Sequence, residues 1–211
     1  MLVLDHIFVC VQRDAEELAR MRKLGFTSSF SRVHAGQGTA NDLILFERNY
    51  LELLFVNDRA EAQSSLVRLD QRCDWRRTGA CPFGVALRGP RSSVHGVDWQ
   101  HYSLPGMTGG LWIAKASLDD PRLPMVFVFD RPDGAVGGPV TGGYAPELLQ
   151  HACGAIGIDD AEITGRGFGA APALALPKSV RLVEGASPQL RLKLQGWGSP
   201  AVKVGPLVEL S

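Results

Sequence analysis

The sequence predicts an α+β protein built from a duplicated module, and three observations predict it. The first 56 residues read as strand, helix and three further strands; a similar element order begins again after residue 80; and the last strands alternate apolar and polar residues. The repeat lies in the order of elements and almost not at all in residue identity. Residues 1–56 form the first module, and residues 80–211 the second, divergent one with the C-terminal strands, together making one domain.

Each element has its own signal. Residues 2–11 are a near-continuous apolar run rich in Val, Ile and Phe, which suits a strand. In "RDAEELARMRKLGF", Asp14 and Glu17 have the spacing of a capping box, Leu18, Met21 and Leu24 follow at helical intervals, and Gly25 ends the helix. "FTSSFSRV", "ANDLILFE" and "YLELLFV" read as strands. "SSLVRLDQRCDW" reads as a helix with Leu66 and Leu69 on its apolar side, and "PFGVALRG" as a strand. Residues 90–122 carry little signal before a strand at "GGLWIAKAS". "LPMVFVFD", "GAIGIDDAEI", "SVRLVEG", "QLRLKLQG" and "PLVEL" are further strands, and "GAVGGPVTGGYAP" is a loop or lid, too rich in Gly and Pro for either element.

Composition narrows the classes of function. With 45% hydrophobic and 21% charged residues, the chain has enough apolar material for a core. Lys plus Arg equals Asp plus Glu at 22 each, so no overall field attracts nucleic acid or an anionic membrane. The cluster Arg72, Arg76 and Arg77 is expected on a solvated helix face. The apolar N-terminus lacks a basic leader and contains Asp5 and His6, which argues against a signal peptide. No run approaches the roughly 20 apolar residues of a membrane span. Cys10, Cys73, Cys81 and Cys153 are scattered without metal spacing, as reduced, buried thiols would be. The expected location is cytoplasmic.

"HAGQGTAN" invites a phosphate-loop reading, which fails. A phosphate loop needs a helix after the glycines, and here "TANDLILF" is strand-like, with no Lys following. A hairpin is the better account: Gly36 and Gly38 turn the chain, and Thr39 and Asn41 share one strand face, expected to look into a cleft.

"LDHIFVCV", a helix closing at "LGF", "HAGQGTANDLILF" and "YLELLFV", in that order, resemble the glyoxalase-like proteins of the vicinal oxygen chelate superfamily. The likeness continues at "LPMVFVFDRPDG" and at "HACGAIGI", with Cys153 where Asn is usual. The resemblance implies paired β-α-β-β-β modules forming a curled, mostly antiparallel mixed sheet around a cleft. It implies metal ligands at His6 and Glu52, a divalent ion (Zn, Fe, Mn or Ni), and association as a homodimer.

The residues add their own argument. His6 lies between Leu4 and Phe8, and Glu52 between Tyr50 and Leu54; a carboxylate in so apolar a strand needs a cation or donors if buried. An open metal position there would polarise a substrate oxygen. However, "CPFGVALRG" has no His, and Val128 and Phe129 stand where a second carboxylate would be sought, so the ligand set is depleted. His34 is either a turn residue or a pocket residue, and the same choice holds for His151. Two functions follow. One is metal-assisted isomerase, lyase or dioxygenase chemistry on a small molecule with adjacent oxygens, with Glu52 catalytic and His34, Thr39, Asn41, Tyr50 and His151 binding substrate. The other is a non-catalytic protein that sequesters a small ligand, with His6 and Glu52 satisfied by hydrogen bonds in an aromatic-lined cleft.

Overall fold

The computed structural model describes all residues except 15, 30, 104–109, 131–143 and 172. Most of the loop "GAVGGPVTGGYAP" therefore lies outside the described residues.

Eight strands form the main sheet. Strands β1 (Val3–Cys10), β2 (Arg32–His34), β3 (Thr39–Leu45) and β4 (Tyr50–Val56) make one half; β5 (Phe83–Gly89), β6 (Trp99–Tyr102), β7 (Leu111–Ala114) and β8 (Met125–Asp130) make the other. The order β2-β3-β4-β1-β5-β8-β7-β6 puts the first strand of each half at the centre and the second at an edge. β1 is parallel to β4 and β5 is parallel to β8, while every other neighbouring pair is antiparallel. The result is the expected mixed, mostly antiparallel sheet. The duplication is plain in strand order even though the residues have diverged.

The C-terminal strands, expected as part of the second module, form a sheet of their own. It holds β9 (Gly157–Gly165), β10 (Val180–Glu184), β11 (Gln189–Gln195), β12 (Val202–Lys203) and β13 (Val208–Leu210), in the order β10-β9-β11-β13-β12. Ile158, Ile163, Leu190 and Leu192 from it share one core with Ile7, Val9, Ile44 and Leu53 of the main sheet. Burying each such side chain contributes about 1.5–3 kcal/mol. That core fills the rear of the main sheet and leaves its front face for a cavity over a smaller apolar cluster around Phe8, Cys10, Leu54 and Phe127.

Strict alternation along β1 would put Leu4, His6 and Phe8 on one face. Leu4 instead belongs to the rear core with Ile7 and Val9. The reason is a register shift against β5 between Leu4 and His6, which leaves Asp5 unpaired as the extra residue of a bulge. The bulge turns Leu4 to the rear, His6 and Phe8 to the front, and sets Asp5 directly beside His6.

Several local expectations need correction. Helix α1 (Glu16–Lys23) begins two residues after Asp14, whose φ of 59° is left-handed and unlike an N-cap. Glu17 is buried against Gly205 instead of capping. The helix expected over 64–75 is three short pieces, α2 (Arg59–Ser64), α3 (Leu69–Cys73) and α4 (Trp75–Thr78), separated where Arg68 adopts φ 44°; Leu66 is consequently exposed. The strand over 109–117 ends at Ala114 and continues as helix α5 (Lys115–Asp119). β6 and β12 were unsignalled. Arg72 is buried, not solvated: its guanidinium donates to the carbonyls of Ser117, Cys81, Pro121 and Leu123 at 2.7–3.1 Å. Among the described residues no helix is long and apolar enough to cross a membrane.

The hairpin between β2 and β3 has the geometry its glycines require: φ is 81° at Gly36 and 66° at Gly38. A Cβ on Gly38 would lie 2.3 Å from both the Asp58 carbonyl oxygen and the Ala62 amide nitrogen, backbone atoms that cannot rotate away. Gly38→Ala is expected to cost about 3 kcal/mol, strain plus overlap, measured as a lowered urea midpoint. Gly79→Ala, also left-handed but with open space around it, should cost only about 1 kcal/mol.

Candidate functional site

The front face holds a cavity of about 370 Å³, within the range of small-molecule sites. Its polar side is built by β1, β3 and β4 with the β2 hairpin. Its apolar side comes from β7 and β8, chiefly Leu111, Met125, Phe127 and Phe129, with Tyr102 and Tyr144 nearby.

The polar side is one chain of hydrogen bonds. His6 Nδ1 meets Asp5 Oδ1 at 2.7 Å, and His6 Nε2 meets Glu52 Oε2 at 3.3 Å. Asn41 Nδ2 donates to Glu52 Oε1 at 2.6 Å and lies 3.1 Å from His34 Nε2. His34 Nδ1 ends the chain at Thr39 Oγ1, 3.1 Å away. Directions follow from chemistry. Carboxylates only accept, so both His6 nitrogens carry hydrogen and Asn41 turns its NH₂ to Glu52. The second amide hydrogen faces His34 Nε2, which is therefore the lone-pair nitrogen, and His34 Nδ1–H donates to Thr39. Asn41 Oδ1 is left buried without a partner.

Charges agree with that assignment. Burial alone would push the His6 imidazolium down, but the hydrogen bonds and charges of Asp5 and Glu52 outweigh it and raise its pKa to about 9. For Glu52 burial acts upward and is overcome, mainly by His6, so its carboxyl stays below the usual range. His34 is pushed down by burial and is neutral. Tyr50 stacks on the His6 ring at 4.2 Å and 19°, a cation–π arrangement, and burial followed by Glu52 raises its own pKa. Arg88 lies 3.7 Å from the second oxygen of Asp5.

His6 stabilises the fold as a cation. That contribution is complete below the unfolded value near 6.5 and is lost as pH rises towards about 9. Unfolding free energy should fall by about 3 kcal/mol from this source between pH 6.5 and 9.5, measured by urea titration. A flat profile over that interval would mean that His6 is neutral in the fold.

His6, His34, Asn41, Tyr50 and Glu52 all line the cavity; Thr39 is fully buried behind His34. His151, expected to bind substrate, is not among the residues that line this cavity. Its Nδ1 accepts from the Thr27 amide at 3.0 Å, its Nε2 meets the Leu45 carbonyl at 2.9 Å, and it packs between Phe26 and Phe46. It ties the exit of α1 to the end of β3. Asp5, Arg32 and the Phe127–Phe129 wall were not singled out in the sequence. Asp5 had the same signal as Glu52, a carboxylate inside an apolar strand.

The donor set does not fit a catalytic metal. In register, His6 pairs with Ala86 across the two halves, and the position matching Glu52 in β8 is Phe129. The second half thus contributes a methyl and a ring where ligands would converge. His34 Nε2 is 3.8 Å from Glu52 Oε1, but its lone pair is taken by Asn41. Among the described residues no three His, Cys, Asp or Glu side chains group to hold a metal ion, whereas a catalytic site wants at least three protein ligands.

Comparison with known proteins agrees with the architecture. Residues 4–93 match the glyoxalase-like domain family. A solved structure of a hypothetical protein from Staphylococcus aureus is 13% identical and superposes at a TM-score of 0.60, covering 100% of this chain and 99% of that one. A methylmalonyl-CoA epimerase from Mycobacterium tuberculosis is 15% identical at a TM-score of 0.41, covering 64% of this chain and 91% of its own. A Streptomyces coelicolor methylmalonyl-CoA epimerase is 14% identical at 0.40, covering 60% and 92%. No protein of curated function matches the sequence. The family match runs from β1 through β5, and the two halves are wound symmetrically about β1 and β5, so that the first 93 residues are similar to the glyoxalase-like domain family.

Proposed function

We propose that this protein binds a small, largely apolar molecule in the front cavity and does so without a metal at the polar floor. One observation carries the reading: His6 and Glu52 are spent on each other, on Asp5 and on Asn41, opposite a wall in which Phe129 replaces the second carboxylate. In this account the chain of hydrogen bonds is a fixed polar floor, and the aromatic wall supplies contact area. Glu52 as a general base is disfavoured, because the neighbouring imidazolium lowers its basicity.

Elemental analysis of protein purified without chelator tests this reading. Less than about 0.1 metal per chain, with binding of an apolar fluorescent probe unchanged by EDTA, is the expected result. Stoichiometric metal that disappears in His6→Ala and Glu52→Ala would favour the metal-dependent lyase, isomerase or dioxygenase instead. We propose a homodimer and a cytoplasmic location as well; sedimentation at 22.8 kDa at every concentration would refute the dimer.

A further inference from the structure

The two ends of the cavity differ in what they offer a ligand. At the floor every N–H of the chain is committed: His6 to Asp5 and Glu52, Asn41 to Glu52 and His34, and His34 to Thr39. What remains is acceptor capacity on the Glu52 carboxylate, which lines the cavity, while Asn41 Oδ1 is unpartnered but buried away from it. An anion seated there would meet the Glu52 charge and find no free N–H in that chain. An N–H or O–H of a ligand suits it.

The rim is the opposite. Arg32 lies directly across from Asn41 in the β2–β3 register, so the two side chains share the cavity face. It lines the cavity and is exposed, and no carboxylate pairs with it among the described residues. The other arginine near the site, Arg88, is held by Asp5 and by the Arg48 carbonyl. The lining also includes Tyr50, stacked on His6 of the floor, and Tyr102, Phe127, Phe129 and Tyr144.

Resting on the reading of this cavity as a small-ligand site, we propose that its ligand is an amphipathic aromatic anion. The anionic group sits at the rim on Arg32, the aromatic body lies against Phe127 and Phe129, and a hydrogen-bond donor points to Glu52 at the floor. Carboxylate, sulfonate and phosphate are equivalent for this chemistry. Cationic ligands are disfavoured because they must pass Arg32.

Two fluorescent probes separate the parts. 8-Anilinonaphthalene-1-sulfonate carries an aromatic body, an N–H and a sulfonate; N-phenyl-1-naphthylamine carries the same body and N–H without the charge. Arg32→Gln should weaken the sulfonate probe roughly fivefold, as expected for a partly exposed ion pair, and leave the neutral probe within about twofold. Arg32→Lys should restore most of the loss, and raised salt should mimic Arg32→Gln. Equal changes for both probes, or no change for either, would overturn the rim assignment while leaving the small-ligand reading standing. If neither probe binds wild type at one per chain, the ligand-site reading itself fails, and this inference fails with it.

Discussion

Glu52→Ala is expected to lower the unfolding free energy by about 3–5 kcal/mol at pH 7, because it strands a buried cation. His6 would keep only Asp5 as a partner, and the Asn41 amide would lose its acceptor at 2.6 Å. The sign of the pH dependence makes the effect specific. Without Glu52 the His6 pKa drops, so wild type and variant should converge as pH approaches 9 and His6 loses its proton in both. A merely bulky core residue would show a constant difference. Urea titrations of both proteins at pH 6.5 and 9.5 measure this.

Arg72→Met is the second large effect expected, about 3–5 kcal/mol, because a buried guanidinium here donates to four carbonyls, of which only that of Pro121 is also met by a backbone amide, from Cys81, among the described loop hydrogen bonds. Those carbonyls belong to Cys81, which leads into β5, and to Ser117, Pro121 and Leu123, which lead into β8. Burial lowers the Arg72 pKa, and no carboxylate contacts it among the described hydrogen bonds, so the carbonyl dipoles hold the charge. Arg72→Lys should recover only part of the loss, since one ammonium cannot reach four acceptors in that planar fork. Thermal unfolding with a midpoint drop for Met larger than for Lys is the expected order; equal midpoints to wild type would show that the carbonyls find other partners.

The sequence carries these two features unequally. His6 and Glu52 were legible because a polar residue inside an apolar strand demands a partner whatever the fold. The strands β1, β4, β5, β8 and β11 were legible for the same local reason, their unbroken or alternating apolar pattern. Asp5 was missed because the bulge that brings it to His6 depends on the register against β5, a strand some 80 residues away. Arg72 looked like a surface residue because its acceptors are main-chain carbonyls contributed from as far as 51 residues along the chain. His151 was placed by its likeness to a family segment, and its burial between Phe26 and Phe46 follows from packing that local sequence does not show. The C-terminal strands were recognised, but their separation into a second sheet is set by which rear apolar face they cover.

The floor of the cavity is a directed chain of hydrogen bonds centred on an imidazolium. Long-range ¹H–¹⁵N correlation of the histidine rings at pH 7.5 tests it directly, with and without added Zn. Both His6 nitrogens are expected to be protonated, His34 neutral with hydrogen on Nδ1, and neither pattern altered by the metal. A neutral His6 with a free Nε2 lone pair, or a His6 signal that shifts stoichiometrically with Zn, would contradict it.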